Sequence, residues 1–144
     1  MTYAHRKNLP DTRQSLTHKV EITGTDGQTY DVYLTVGLFE DGSPGELFIT
    51  VGKVGSTMRG LLDTIGKQTS LLLQFGVPLR TVCDKLSYLQ FEPAGHTSNK
   101  LESLSRCSSI VDYVFRWIAE VFEDQLDIGL EDASTLEEGD TKHG

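Results

Sequence analysis

Three consecutive segments with alternating apolar and polar residues constrain the fold of this chain most strongly. The alternation runs over residues 15–23, over 29–39 and again over 46–52. A period of two places successive side chains on opposite faces of a β-strand. The connections at 24–27 and 40–45 are short and rich in Gly and Asp, as is typical of hairpin turns. The sequence therefore predicts a three-stranded antiparallel meander with one apolar face.

Helical periodicity follows the third strand in three places. In residues 57–75 the apolar side chains recur every three or four positions, and Gly76 and Pro78 end that segment. Residues 79–89 predict a shorter helix and residues 103–123 a third one. The first helix is expected to cover the apolar face of the sheet. The predicted fold class is α+β, with a three-stranded antiparallel meander packed against about three helices.

The charge of the chain divides it into a body and a tail. The 144 residues carry a net charge of −8, of which residues 123–144 contribute −7, with eight acidic residues and one lysine. We therefore predict a polar N-terminal arm (1–14), a single α+β domain (15–123) and a disordered, solubilising acidic tail (124–144). The acidic balance disfavours general DNA binding.

Membrane and secretion signals are not evident in the sequence. No apolar run approaches the roughly 20 residues that span a bilayer, and the first residues lack the apolar segment of a signal peptide. A cytoplasmic protein without a membrane partner is expected, located in the host cytoplasm if the source is viral.

The residues that usually carry catalysis are scattered. Cys83 and Cys107 form no Cys-x-x-Cys pair, and Cys83 is predicted to be a buried, structural thiol. The four histidines show no ligand spacing for zinc, and His18 is predicted to be a structural histidine on the core side of a strand. No nucleophile motif is present. The sequence thus predicts a protein that is not an enzyme and needs no metal or cofactor.

One turn has the residue types of an anion site. Gly55 allows a tight turn before the helix, and the first N–H groups of a helix together with its dipole attract negative charge. The candidate ligand-binding residues are Lys53, Gly55, Ser56, Thr57 and Arg59, with Phe91 and His96 available to stack on a base. The ligand class would be a nucleotide or another phosphate-bearing small molecule. The alternative is an ordinary helix start in which Ser56 or Thr57 is the N-cap.

Six ordered blocks of the sequence resemble one known family. They are residues 9–19, 34–49, 55–57, 76–79, 91–95 and 110–117, so that the resemblance covers about residues 5–122. The blocks are similar to the C-terminal accessory domain of adenosylcobalamin-dependent (class II) ribonucleotide reductases, called the TSCPD domain. In that family the radical chemistry and the cobalamin site belong to a large barrel outside this region. The resemblance therefore implies an accessory domain, here free-standing, without reductase activity of its own.

Two functions of different classes remain open. The first is a non-catalytic module that binds a nucleotide or nucleotide signal, for example a phage-type sequestering protein. The second is an accessory or protein-interaction subunit related to ribonucleotide reductase, which would use the exposed sheet face (Tyr33, Phe48) and the acidic tail. A detached reductase domain with little function of its own is a weaker third hypothesis. The exposed aromatic residues also predict a homo-oligomer, most simply a dimer.

Overall fold

A computed structural model describes residues 5–126 and confirms the α+β fold class. The elements, in chain order, are β1 (Ser15–Gly24), β2 (Thr29–Leu38), β3 (Pro44–Val51), α1 (Ser56–Gln74), α2 (Leu79–Leu86), β4 (Gly95–Thr97), β5 (Arg106–Cys107) and α3 (Ile110–Val121). Two short 3-10 turns cover Glu102–Leu104 and Glu123–Gln125. Most of the predicted acidic tail, residues 127–144, lies outside the described residues. Within the described range, no helix is long and apolar enough to cross a bilayer.

The sheet contains five antiparallel strands, so the prediction of three strands was wrong. The predicted meander forms as β1, β2 and β3, and the full strand order is β3-β2-β1-β4-β5. The two added strands have only three and two residues. Strands of that length are too short to show an alternating pattern. They form because the chain after α2 returns beside the end of β1, where Ile22 pairs with Thr97.

The third helix is shorter than predicted. It begins at Ile110 rather than near residue 103, and the Oγ atom of Ser109 accepts a hydrogen bond of 2.9 Å from the N–H of Asp112. This is a side-chain N-cap, which satisfies a backbone donor that has no partner within the helix. The preceding residues form the 3-10 turn and β5 instead.

The core lies between the apolar face of the meander and α3. The buried strand residues are those that the alternation predicted: Val20, Ile22, Val32, Leu34, Val36, Leu47, Ile49 and Val51. From α3, Tyr113, Val114 and Phe115 are fully buried in the same cluster. α3 is thus the most deeply buried helix, whereas α1 leaves Leu61, Leu71 and Leu72 exposed.

α1 lies along the edge of β3, contrary to the expectation that it would cover the sheet face. The Oγ atom of Ser70 accepts a 2.9 Å bond from the N–H of Leu47, and Nε2 of Gln74 donates a 2.9 Å bond to the carbonyl of Gly45. Gly66 lies one turn before Ser70, and a Cβ atom there would be 2.8 Å from the carbonyl oxygen of Leu47. The helix therefore satisfies backbone groups of an edge strand that would otherwise be open to another strand.

The N-terminal arm packs against the end of α1. The N–H of Lys7 donates a 2.8 Å bond to the carbonyl of Gln74, and Nε of Arg6 donates a 2.6 Å bond to Oε1 of the same residue. The ammonium group of Lys7 lies 4.2 Å from the centre of the Phe39 ring. Residues 5–14 thus hold a defined position without forming a helix or strand.

Candidate functional site

The predicted anion site lies at the start of α1. The N-cap is Gly55, which has no side chain to bond the free N–H groups, so the expectation that Ser56 or Thr57 caps the helix was wrong. A terminal nitrogen of the Arg59 guanidinium donates a 3.3 Å bond to the carbonyl of Val54. All five predicted residues of this turn are exposed: Lys53, Gly55, Ser56, Thr57 and Arg59.

The two residues predicted to stack on a base come from the segment after α2. Phe91 is 49% exposed, and its N–H donates to the carbonyl of Ser108. His96 is exposed on β4, where it pairs with Thr23 and Arg106. Nucleotide binding at these positions stays a prediction.

A cleft of ≈170 Å³ beside the start of α1 has the wrong charge for an anion. Its lining includes two carboxylates, and none of the seven predicted residues contributes to it. The lining residues are Gly24, Thr25, Asp26, Tyr30, Met58, Glu92 and Pro93. Asp26 and Glu92 line the same cleft as Met58 in the first turn of α1, and their negative charge opposes the attraction that the helix dipole provides.

The outer face of the meander carries two aromatic side chains, Tyr33 and Phe48, that are exposed as the sequence predicted. We use "outer face" for the side of β1–β3 that bears Thr17, Lys19, Tyr33, Thr35, Phe48 and Thr50, which the register arranges in two rows across the strands. Tyr33 is 40% and Phe48 53% exposed. The two rings are diagonal neighbours on adjacent strands, close enough to form one apolar patch. The ammonium of Lys19 lies 5.8 Å from the centre of the Tyr33 ring.

A groove of ≈360 Å³ between β3 and α1 extends this surface. It shares Phe48 with the outer face and adds Leu71, which is 43% exposed. Its charged lining residues are Arg6, Glu46, Asp63 and Lys67. Because the two signs balance, the groove favours a mixed protein surface over a strongly charged small molecule.

A buried ion pair in α3 connects the helix to three other segments. Asp112 is fully buried, and its carboxylate accepts bonds of 2.8 and 2.9 Å from Arg116, 2.6 Å from the N–H of Tyr88 and 2.8 Å from the N–H of Ser108. Burial alone would raise the pKa of Asp112. The bonds from Arg116 and from the two N–H groups outweigh burial and hold the pKa below its ordinary value.

Arg116 completes this cluster. Its terminal nitrogens donate 2.6 Å bonds to the carbonyls of Ser103 and Arg106, and its guanidinium lies 5.2 Å from the centre of the Tyr88 ring. Tyr88 has φ 65°, an unusual conformation for a bulky residue. Since the carboxylate and the guanidinium are both engaged, the cluster serves to hold α3, the end of α2 and β5 together. The sequence signal was an Asp and an Arg four residues apart within an apolar helix.

His18 belongs to a second internal network, as predicted for a structural histidine. Its Nε2 lies 2.7 Å from the hydroxyl of the fully buried Tyr113, and its ring stacks on Trp117 at 4.7 Å between centres. Nδ2 of Asn99 donates a 3.0 Å bond to the same hydroxyl. The hydrogen bond with Tyr113 and the stacking on Trp117 hold the imidazole in place. Burial lowers the pKa of His18, because it disfavours the charged imidazolium.

We expect this network to make folding stability depend on pH. Because the folded-state pKa of His18 lies below the ordinary value of 6.5, the unfolded chain takes up the proton first as the pH falls. The free energy of unfolding should be fully maintained above the unfolded-state pKa and decrease as the pH falls through it toward the folded-state pKa. Urea titrations at several pH values would measure this for the wild type and for His18→Gln. The variant should show a smaller decrease, and equal decreases would contradict the assignment.

Neither cysteine is suited to nucleophilic chemistry. Burial raises the pKa of the Cys83 thiol to about 12 and also raises that of Cys107. Both thiols therefore stay protonated at neutral pH, as predicted for Cys83. In the part of the chain that the structure describes, no group of three His, Cys, Asp or Glu side chains has the arrangement needed to hold a metal ion.

Comparison with known proteins identifies the family. The family model of the TSCPD domain matches residues 1–122, which is most of the chain. The chain belongs to the TSCPD domain family. The family resemblance predicted from the six sequence blocks is thereby confirmed.

The relatives of this TSCPD domain are much longer proteins. It is 50% identical over 117 residues to a vitamin B12-dependent ribonucleotide reductase of Rhodopirellula baltica. This match covers 81% of the present chain and 11% of the reductase. Reductases of the same description from Bradyrhizobium diazoefficiens and Agrobacterium fabrum are each 36% identical, over 85% and 90% of the chain and 9% and 10% of their own lengths. The chain thus spans about a tenth of these relatives. No solved structure matches it.

Proposed function

We propose that this TSCPD domain is a non-catalytic accessory domain that binds a protein partner through its outer face and the adjoining groove. The observation that carries the proposal is the exposed apolar patch of Tyr33, Phe48 and Leu71. The proposed partner is a protein related to the catalytic part of a vitamin B12-dependent ribonucleotide reductase. The matches to such reductases over about a tenth of their lengths support this choice.

The composition of the patch fits a protein interface. Large aromatic side chains contribute most of the binding energy at the centre of interfaces, while a polar rim excludes water. Here Thr17, Thr35 and Thr50 surround the two rings. Tyr33 and Phe48 are already about half buried, so complete burial would add roughly half of the about 1.5–3 kcal/mol that a fully buried apolar side chain contributes. The two rings together would supply part of the about 8 kcal/mol of a micromolar affinity.

The internal chemistry of the domain supports a non-catalytic role. Its buried thiols have raised pKa values, and the carboxylate of Asp112 is neutralised by Arg116. The imidazole of His18 is bonded to Tyr113 and stacked on Trp117. These groups are buried or engaged inside the fold, whereas Tyr33 and Phe48 are exposed on the outer face.

Binding to a reductase lacking its own TSCPD region tests the proposal. The probe is the Rhodopirellula baltica protein without the matched region, used only if its circular dichroism and thermal transition show that it is folded. We expect the domain to bind this form by calorimetry, and to bind the full-length reductase more weakly because the resident domain occupies the site. Replacing Tyr33 and Phe48 by Ser should weaken binding by at least about tenfold.

The matched control is Leu61→Ser. Leu61 is 61% exposed on α1 but does not line the groove, so this change removes a similar apolar group from another surface. The control should bind like the wild type. Absence of binding by the wild type, or equal weakening by the control and by the double variant, would refute the proposal.

A further inference from the structure

The backbone groups at the two edges of the meander, β3 and β1, are not covered to the same extent. On the β3 side, Ser70 and Gln74 of α1 bond to the backbone of the edge strand. On the other side, β4 pairs with β1 only at residues 22–24. Residues 15–20 therefore have β2 on one side and, among residues 5–126, no strand on the other. We call this open side of residues 15–20 the free edge.

The direction of the backbone groups along the free edge follows from four observed bonds. Both backbone groups of Glu21 bond to Ser98, on the side of β4. Gly24 donates to Gln28, and Gln14 accepts from Leu38, both on the side of β2. Alternate residues of an antiparallel strand direct both backbone groups to the same side. The N–H and C=O groups of Ser15, Thr17 and Lys19 therefore point away from the sheet.

We propose that two copies of this chain pair antiparallel along their free edges, with the two-fold axis at Thr17. Thr17 then lies opposite Thr17 of the second copy, and Ser15 lies opposite Lys19 in both directions. Each of these three residue pairs exchanges two N–H···O=C bonds. The pairing uses every outward backbone group of the free edge and joins the two five-stranded sheets into one.

Charge and backbone occupancy select this register. Moving the axis to Lys19 would set two lysines directly opposite each other, which is unfavourable. Moving it to His18 would place Ser15 opposite Glu21, whose N–H and C=O already bond to Ser98. With the axis at Thr17, the bonded pairs end at Lys19, so none of them needs the backbone groups of Glu21 that already bond to Ser98.

The side chains of the inner face also fit a second copy. Leu16 is 39% exposed although it lies on the core side of β1, and His18 beside it is half-buried. In the proposed register each Leu16 faces His18 of the second copy, and residues in such a pair come within side-chain contact. The joined sheets would also present two outer faces side by side, so that the dimer would offer two partner-binding surfaces. The dimer itself does not depend on the proposed function.

Proline at position 17 tests the pairing. Thr17→Pro removes an N–H that points away from β2, so the pairing of β1 with β2 stays intact, as is usual for proline in an edge strand. Two of the bonds across the axis are lost and the ring obstructs the second copy. We expect the dissociation constant of the dimer to rise at least about thirtyfold, measured by sedimentation equilibrium over a dilution series. The matched control Thr17→Val keeps the N–H and should dimerise like the wild type.

A cysteine cross-link provides a second measurement that does not depend on how the proline variant folds. In the proposed register the two Thr17 Cα atoms lie about 5.5 Å apart, within the range that a disulfide spans. Thr17→Cys should therefore form a covalent dimer on mild oxidation, whereas Thr50→Cys on β3 should not. A wild type that stays monomeric throughout the dilution series, or equal cross-linking of the two cysteine variants, would overturn the proposal.

Discussion

Asp112→Ala is expected to lower the free energy of unfolding by about 3–5 kcal/mol, because it removes one partner of a buried ion pair. The carboxylate has no exposed surface, and the Arg116 side chain is only 15% exposed. After the substitution the guanidinium would keep its charge in a largely dry site, and the N–H groups of Tyr88 and Ser108 would lose their acceptor. Both losses add to the cost, since unmade hydrogen bonds in a buried site are expensive.

Thermal and urea unfolding would measure this effect. For a chain of this length the loss corresponds to a decrease of Tm by roughly 10 °C. The matched control is Glu120→Ala, which removes an exposed carboxylate from the same helix and should change stability by less than about 0.5 kcal/mol. The double variant Asp112→Ala with Arg116→Met should be less destabilised than the sum of the single changes, because the unpaired charge is gone. A loss below about 1 kcal/mol for Asp112→Ala would contradict the proposed role of the cluster.

Two glycines of α1 should respond to alanine in opposite directions. Gly66→Ala is expected to destabilise the protein by about 1–2 kcal/mol, because its Cβ would lie 2.8 Å from the carbonyl oxygen of Leu47 and push α1 away from β3. At Gly60 nothing lies within 4 Å of an added Cβ. Gly60→Ala should therefore stabilise the helix by about 0.5–1 kcal/mol through the lower entropy of the unfolded chain.

The pair is its own control, since both changes add one methyl group to the same helix. Equilibrium unfolding in urea would compare the two variants with the wild type. Two stabilising changes would show that α1 can move away from the edge of β3 at little cost. Two destabilising changes would instead indicate that the solvent-facing side of α1 near residue 60 is in contact with another part of the protein.

The sequence by itself determined the meander and most of the core. Period-two alternation is a local property, and it correctly placed residues such as Ile22 and Leu34 on the buried face. The same holds for the end of α1 before Gly76, which rests on residues close together in the chain. The family could also be inferred from the sequence, because six short blocks occur in the same order along it. The start of α1 was predicted less well. Ser56 and Thr57 can both cap a helix, but the backbone placed Gly55 at the N-cap.

Tertiary structure decided the features that depend on distant residues. β4 and β5 form only because they pair with β1 and with each other. α1 lies along β3 because Gly66 permits close approach to Leu47, which lies 19 residues earlier in the chain. Tyr113 lies 95 residues from its partner His18, and Tyr88 lies 24 residues from its partner Asp112. Local patterns do not specify such contacts, since each is fixed by the packing of whole elements and not by the residues beside it. The free edge of β1 also depends on tertiary structure, because it exists only where the short strand β4 does not pair with β1.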